Sequence, residues 1–148
     1  NMTGAYAGIA NKGVFMKPST IKEIIGPKDK IIWSKEKDGP KGVKVVSVKV
    51  ANILDQMLQK VVTDGTGEAA SIKGIQIAGK TGTSEGDRDL WFIGSVPQLT
   101  VGVWLGNDDN SPTNGGSSDA ALIWKKFILR IQQDLLTPTG NFTLRPNS

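Results

Sequence analysis

Four consecutive residues, Lys80-Thr81-Gly82-Thr83, bring together a cation, two hydroxyls and one position without a side chain. Lys80 offers a compact ammonium with three donors, and Thr81 and Thr83 each donate and accept. Gly82 lets another backbone come close, a common reason for glycine in a strand. Such a set suits an extended peptide ending in a carboxylate: main chain pairs with main chain, while the charge and hydroxyls hold the terminus. Average residue usage yields Lys-Thr-Gly-Ser/Thr in about one chain in a few hundred of this length, so the tetrapeptide says more than a solvated edge strand would.

The element that must position these groups is a strand. Residues 75–78, leading into Gly79, alternate apolar with polar or small side chains, the period-2 signature of a half-buried strand. Alternation sets Lys80 on one face and Thr81 and Thr83 on the other, so both faces border one cleft only if this is an edge strand. A rival pattern overlaps it. Gly74 to Thr81 spells the phosphate-loop sequence G-x-x-x-x-G-K-[ST], which needs a buried strand before it, a flexible turn within it and a helix after it. The middle residues here are strand-like, and Gly82 to Asp87 shows no helical period. A nucleotide-binding reading therefore ranks below the peptide reading.

Composition narrows the classes further. The 148 residues suit one domain or a large piece of one. They suffice to bury about two-thirds of the unfolded surface. With 18 Lys and Arg against 14 Asp and Glu, the balance is mildly basic, and the lysine-rich stretch around Lys35–Lys44 reads as a solvated loop. Basic residues are not interleaved with aromatics for stacking, so no nucleic-acid partner is expected. Without Cys or His the chain has no thiolate, no imidazole base and no typical transition-metal ligand set, and neither metal nor cofactor is expected. No apolar run reaches membrane-spanning length, so no membrane contact is expected of this segment. Asp108-Asp109 lacks the alternating oxygen ligands of a calcium loop and reads as a turn.

In chain order, Thr3–Ala10 reads as the end of a helix stopped by Asn11-Lys12-Gly13. Val14–Met16, Thr20–Ile25 and Lys30–Trp33 are short strand patterns, the last two flanking a turn at Gly26-Pro27-Lys28-Asp29. The clearest helix is N-capped at Ser47 and carries an apolar stripe of Val50, Ile53, Leu54, Met57, Leu58 and Val61. Gly65 is expected to end it in a left-handed cap. Beyond the central strand, Leu90–Val96 and Leu99–Leu105 around Pro97-Gln98 predict an antiparallel hairpin. A last helix, capped by Ser117 or Ser118, should lay Ala120, Ile123, Trp124, Phe127, Ile128 and Ile131 on the sheet. The fold class is α+β: an antiparallel sheet of about three main strands, plus a small hairpin, with helices against it. Residues 135–148 are Thr-, Pro- and Asn-rich and read as a flexible tail after a 1–134 domain.

Three stretches in order carry a more specific signal: Lys80-Thr81-Gly82-Thr83, then Arg88-Asp89-Leu90-Trp91-Phe92-Ile93-Gly94, then Val103-Trp104-Leu105-Gly106-Asn107-Asp108-Asp109. With Gly4-Ala5-Tyr6-Ala7, Ala10-Asn11-Lys12-Gly13 and Asp64-Gly65-Thr66-Gly67 they closely resemble penicillin-binding proteins. The likeness is to the C-terminal part of the transpeptidase domain of the bifunctional class A branch, over about residues 1–131. The K-T-G box is an established signature of those proteins and of β-lactamases. The resemblance implies a partial β-lactamase/transpeptidase-like fold and a serine D,D-transpeptidase that cross-links peptidoglycan stem peptides and is acylated by β-lactams. It implies that Lys80 supplies positive charge and proton-network support. Thr81, Gly82 and Thr83 would bind the substrate or drug carboxylate region, and the Thr83 backbone N–H would be one of two oxyanion donors. It also implies an extracytoplasmic location in a membrane-anchored parent with a separate glycosyltransferase domain.

One departure shapes the expectation for this chain alone. The family's Ser-x-x-Lys and Ser-x-Asn boxes lie upstream of K-T-G, and no Ser-x-Asn occurs here. Ser19-Thr20-Ile21-Lys22 and Ser34-Lys35-Glu36-Lys37 spell the first box, but the nucleophile and its base need one helix face, three residues apart. The first sits in a strand pattern after Pro18 and the second in the lysine-rich stretch. The chain is thus expected to be a fragment with one cleft wall, inactive alone and completed by the N-terminal half of the domain, with exposed faces that favour self-association. The alternative is a non-catalytic binding or scaffold module of the same fold.

Overall fold

The computed structural model describes residues 2–135; the tail expected over 135–148 falls, beyond Leu135, outside them. Helix α1 (Met2–Ala10) ends where Gly13 N–H reaches back to Gly8 O at 2.9 Å, with Lys12 and Gly13 both at positive φ, a Schellman-type stop. Strand β1 (Val14–Phe15) follows, then the hairpin of β2 (Glu23–Ile25) and β3 (Ile31–Ser34). The lysine-rich stretch is more ordered than its composition suggests. It opens with one helical turn, α2 (Lys35–Asp38), and continues to β4 (Val43–Lys44), which pairs with β1. Ser34 and Asp38 satisfy the turn's free amides: Ser34 Oγ accepts from Lys37 N at 3.3 Å and Asp38 Oδ2 from Ser34 N at 2.9 Å.

Helix α3 (Val48–Asp64) starts where the sequence places it, with Ser47 Oγ accepting from Val50 N at 3.2 Å. Its stop differs from expectation. Gly65 has φ −136°, an extended conformation and not a left-handed one. Glycine is still required there, because a Cβ would lie 2.9 Å from Val61 O and 3.0 Å from Val61 Cα. The apolar stripe is also rotated: Ala51 and Val62 are buried, while Ile53 and Met57 are 48% and 62% exposed.

The main sheet runs β5 (Ala78–Thr83), β6 (Asp89–Val96), β7 (Leu99–Gly106), in that order and all antiparallel. Regular pairing begins at Ala78 opposite Ser95, later than the predicted 75–78. Its partner strand turns away at Val96–Leu99, so β6 does not extend alongside residues 75–77. Helix α4 (Ser117–Leu135) covers one face of the sheet and α1 the other.

The core lies under α4. Phe92, Val96, Ala120, Ala121, Trp124 and Ile128 bury together with Val62, Ala70 and Ile77. A rung of two glycines, Gly79 opposite Gly94, leaves a dent in the sheet. The rings of Phe92 and Trp124 fill it edge to face at 5.5 Å, and Trp124 Nε1 donates to Gly94 O at 3.2 Å. That seat decides how α4 rolls: Ala120, Ala121, Trp124 and Ile128 point inward, whereas the expected contacts Ile123 and Phe127 remain 43% and 44% exposed. The helix start is set by Gly116, whose N–H donates to Asp119 Oδ2 at 2.9 Å, and Ser117 already belongs to the helix.

Candidate active-site cleft

β5 is an edge strand, paired among the described residues with β6 alone. Its register sets Lys80, Gly82, Trp91 and Ile93 on the α1 face of the sheet, and Gly79, Thr81 and Phe92 on the α4 face. On the α1 face an open cleft of about 360 Å³ is walled by Met2 and Tyr6 of α1 and floored by Trp91 and Ile93. Residues Lys80 to Ser84 form its rim, with Asp89 at one end. All four predicted site residues therefore border this hollow, Thr81 with its side chain turned to the opposite face. Lys80 is exposed, and its Nζ donates to Thr81 O at 2.9 Å.

The two glycines of the strand do different work. A Cβ on Gly79 would lie 2.5 Å from Phe92 Cζ, so its lack of a side chain serves the core. A Cβ on Gly82 would meet only Trp91 Cβ at 3.4 Å, an ordinary contact. Among the described residues nothing demands glycine there, which leaves the strand open to a second backbone approaching through the cleft.

Thr81 and Thr83 part company as well. Thr83 is exposed at the end of the strand. Thr81 is 8% exposed and its Oγ1 lies 2.6 Å from Thr66 Oγ1, a pairing that bridges the loop after α3 to β5. Thr66 was not singled out from the sequence as a site residue, although it belongs to the Asp64-Gly65-Thr66-Gly67 stretch. Tyr6 and Met2, on the far wall, were missed in the same way: a cleft formed by α1 crossing the sheet leaves no local pattern.

The rival readings separate here. Lys80 and Thr81 sit within a paired strand, and a short turn (Glu85–Asp87) and β6 follow, with no helix; the phosphate-loop reading is overturned. Ser34 caps α2 with its Oγ and Ser19 lies in an exposed irregular stretch, Oγ donating to Ile21 O at 3.0 Å, so neither shares a helix face with its Lys. A second hollow of about 330 Å³ lies beyond the other end of β5, lined by Asn52, Asp55, Gln59 and Gln76. Its amides engage one another, Gln76 Nε2 to Gln59 Oε1 at 2.8 Å and Gln59 Nε2 to Asp55 Oδ2 at 2.6 Å, away from the tetrapeptide. Among the described residues no group of three or more Asp or Glu could hold a metal ion, and no helix is long and apolar enough to cross a membrane.

An antiparallel sheet with helices on both faces and a cleft along its edge strand defines an α+β domain of the transpeptidase type. The chain belongs to the penicillin-binding protein transpeptidase family, whose domain model, "Penicillin binding protein transpeptidase domain", matches residues 1–129. It is 40% identical over 143 residues to penicillin-binding protein 1A of Clostridium tetani, covering 90% of this chain and 18% of that protein. Its fold superposes on the D,D-transpeptidase domain of a peptidoglycan glycosyltransferase from Eggerthella lenta with a TM-score of 0.73 and 28% identity, over 91% of this chain and 32% of that one. Penicillin-binding protein 1A from Haemophilus influenzae shares the fold at a TM-score of 0.75 and 20% identity, over 98% of this chain and 27% of that one. The chain thus corresponds to part of a transpeptidase domain.

Proposed function

We propose that residues 2–131 form the K-T-G wall of a serine D,D-transpeptidase active site. In the complete domain a serine attacks the D-Ala-D-Ala terminus of a peptidoglycan stem peptide, D-alanine leaves, and an acceptor amine resolves the acyl-enzyme into a cross-link. A β-lactam acylates the same serine. Lys80 contributes positive charge beside the reacting groups, the exposed Thr83 hydroxyl holds the donor or drug carboxylate, Thr81 takes part through its main chain at the rim while its hydroxyl bonds Thr66, and the Thr83 N–H is one oxyanion donor. A preorganised donor of that kind lowers a barrier by about 3–4 kcal/mol. The nucleophile and the Ser-x-Asn box come from the N-terminal half of the domain, so these residues alone do not acylate. The location is extracytoplasmic, within a membrane-anchored parent that also carries a glycosyltransferase domain.

The observation that supports this reading most is an edge strand presenting Lys80 and an uncrowded Gly82 to an open cleft. Incubation with a labelled penicillin and intact-mass spectrometry test it. The 148-residue chain should gain no penicilloyl adduct, and a complementing segment that bears both boxes should be acylated on its own serine. A penicilloyl group on Ser19, Ser34 or any other serine of this chain would overturn the proposal.

A further inference from the structure

The strand that carries Lys80 to Thr83 leaves the sheet into a loop, and Asp89 closes that loop with both its main chain and its carboxylate. Asp89 closes on Ser84, the residue directly after Thr83, through three bonds. Ser84 N donates to Asp89 O at 3.0 Å, Ser84 Oγ to Asp89 Oδ2 at 2.9 Å, and Asp89 N to Ser84 Oγ at 2.8 Å. The other carboxylate oxygen, Oδ1, accepts from Trp104 Nε1 on the third strand at 2.9 Å. Trp104 lies opposite Trp91 in the register, the two rings 6.3 Å apart, and Trp91 floors the cleft. A single side chain thereby ties the exit of β5 to β7 across the whole sheet. The indole first and the Ser84 hydroxyl second hold the Asp89 carboxyl below its ordinary value, so it is a full-strength acceptor at neutral pH.

We propose that Asp89 is a positioning residue for the transpeptidase cleft: through Ser84 and Trp104 it fixes the backbone of Thr83, and with it the direction of the Thr83 N–H. The inference rests on the proposed role of that N–H as an oxyanion donor. Such a donor accelerates only when it is aimed at the charge of the transition state before that charge forms. An unclamped strand end would still admit ligand but would have to be ordered at the moment of reaction. The signature is therefore a slower acylation step with little change in non-covalent affinity, and it answers to hydrogen-bonding capacity and not to negative charge. Asn keeps an acceptor for the indole and a polar partner for Ser84; Ala keeps neither.

The test uses the acylation-competent full-length protein that carries these residues, with stopped-flow acylation by a chromogenic cephalosporin that separates the acylation rate from the binding constant. Asp89→Ala should slow acylation about ten- to thirtyfold, a fraction of the 10²–10³ lost when an oxyanion donor is deleted, while the binding constant moves less than about threefold. Asp89→Asn should restore most of the rate. In the 148-residue chain, amide exchange at Thr83 and Ser84 should accelerate in Asp89→Ala and not in Asp89→Asn. An Asp89→Ala variant that acylates at the wild-type rate, or an Asn variant as slow as Ala, would overturn the inference. Lys80→Ala, run alongside, separates the two claims. A Lys80→Ala protein that loses acylation while Asp89→Ala keeps it removes only the role of Asp89. A Lys80→Ala protein that acylates normally removes the cleft assignment, and the inference with it.

Discussion

Replacing each of two glycines three residues apart by alanine separates what the sheet needs from what the cleft needs. At Gly79 a methyl group would sit 2.5 Å from Phe92 Cζ, 3.0 Å from Phe92 Cε2 and 3.1 Å from Ile93 O. The ring cannot swing aside, because Phe92 and Trp124 are both fully buried and lie edge to face against each other. The carbonyl belongs to the pairing strand and is equally fixed. Overpacking of this kind costs about 1–3 kcal/mol, offset by about 0.4–1 kcal/mol from the stiffer unfolded chain. The net loss for Gly79→Ala is thus about 1–2 kcal/mol, or about 2–8 °C in melting temperature for a domain of this size. At Gly82 the new methyl meets only Trp91 Cβ at 3.4 Å. The backbone there is not among the positive-φ glycines, so stability should stay within about 0.5 kcal/mol. The same methyl would stand in the cleft between Lys80 and Trp91, and binding of an acyl-D-Ala-D-Ala peptide should fall. Thermal unfolding by circular dichroism reads the first effect and peptide titration the second. Equal destabilisation by both substitutions, or a Gly82→Ala chain that binds peptide as wild type does, would refute the reasoning.

Two further outcomes follow from the same geometry. Trp124→Ala removes a fully buried indole and its bond to Gly94 O, and should cost about 3–5 kcal/mol, read as a large fall in the urea midpoint; a shift typical of a surface substitution would show that the indole does not organise the core. The Asp89 carboxyl, depressed first by the Trp104 indole and then by Ser84, contributes stability that is fully present above its unfolded value near about pH 3.9 and is lost as pH falls through its lower folded value. The Trp104 indole N–H resonance should therefore stay constant from neutral pH to about pH 4 and move only below it; a midpoint above the ordinary carboxylate range would contradict the clamp.

The sheet was largely legible. Pro97-Gln98 between two strand-like runs predicted the two-residue turn that joins Val96 to Leu99, and short connections forced an antiparallel order. The rolls of the helices were not, because hydrophobicity ranks Ile123 above Ala121 for burial, the reverse of what the structure shows. The dent at Gly79 and Gly94 reverses that order, and it exists only once the two strands are in register. Gly65 misled for a related reason: its chemistry signals either handedness or close approach, and only the path of the chain past Val61 shows which. At the site, Lys80 to Thr83 announced themselves by residue type. Their supports did not: Thr66 meets Thr81 across fifteen positions, and Trp104 reaches Asp89 only through the β6–β7 register. Side-chain type is local information, whereas a cleft is a product of topology.

The central claim is that the rim from Lys80 to Thr83 receives an anionic peptide end. Backbone amide shifts of the 148-residue chain, titrated in parallel with acyl-D-Ala-D-Ala and with its C-terminally amidated analogue, test it most directly. The account predicts shifts centred on Thr81, Gly82 and Thr83 with the free carboxylate, and none of comparable size with the amide. Equal responses to both ligands, or shifts that gather in the hollow around Asn52 and Gln59 instead, would contradict it.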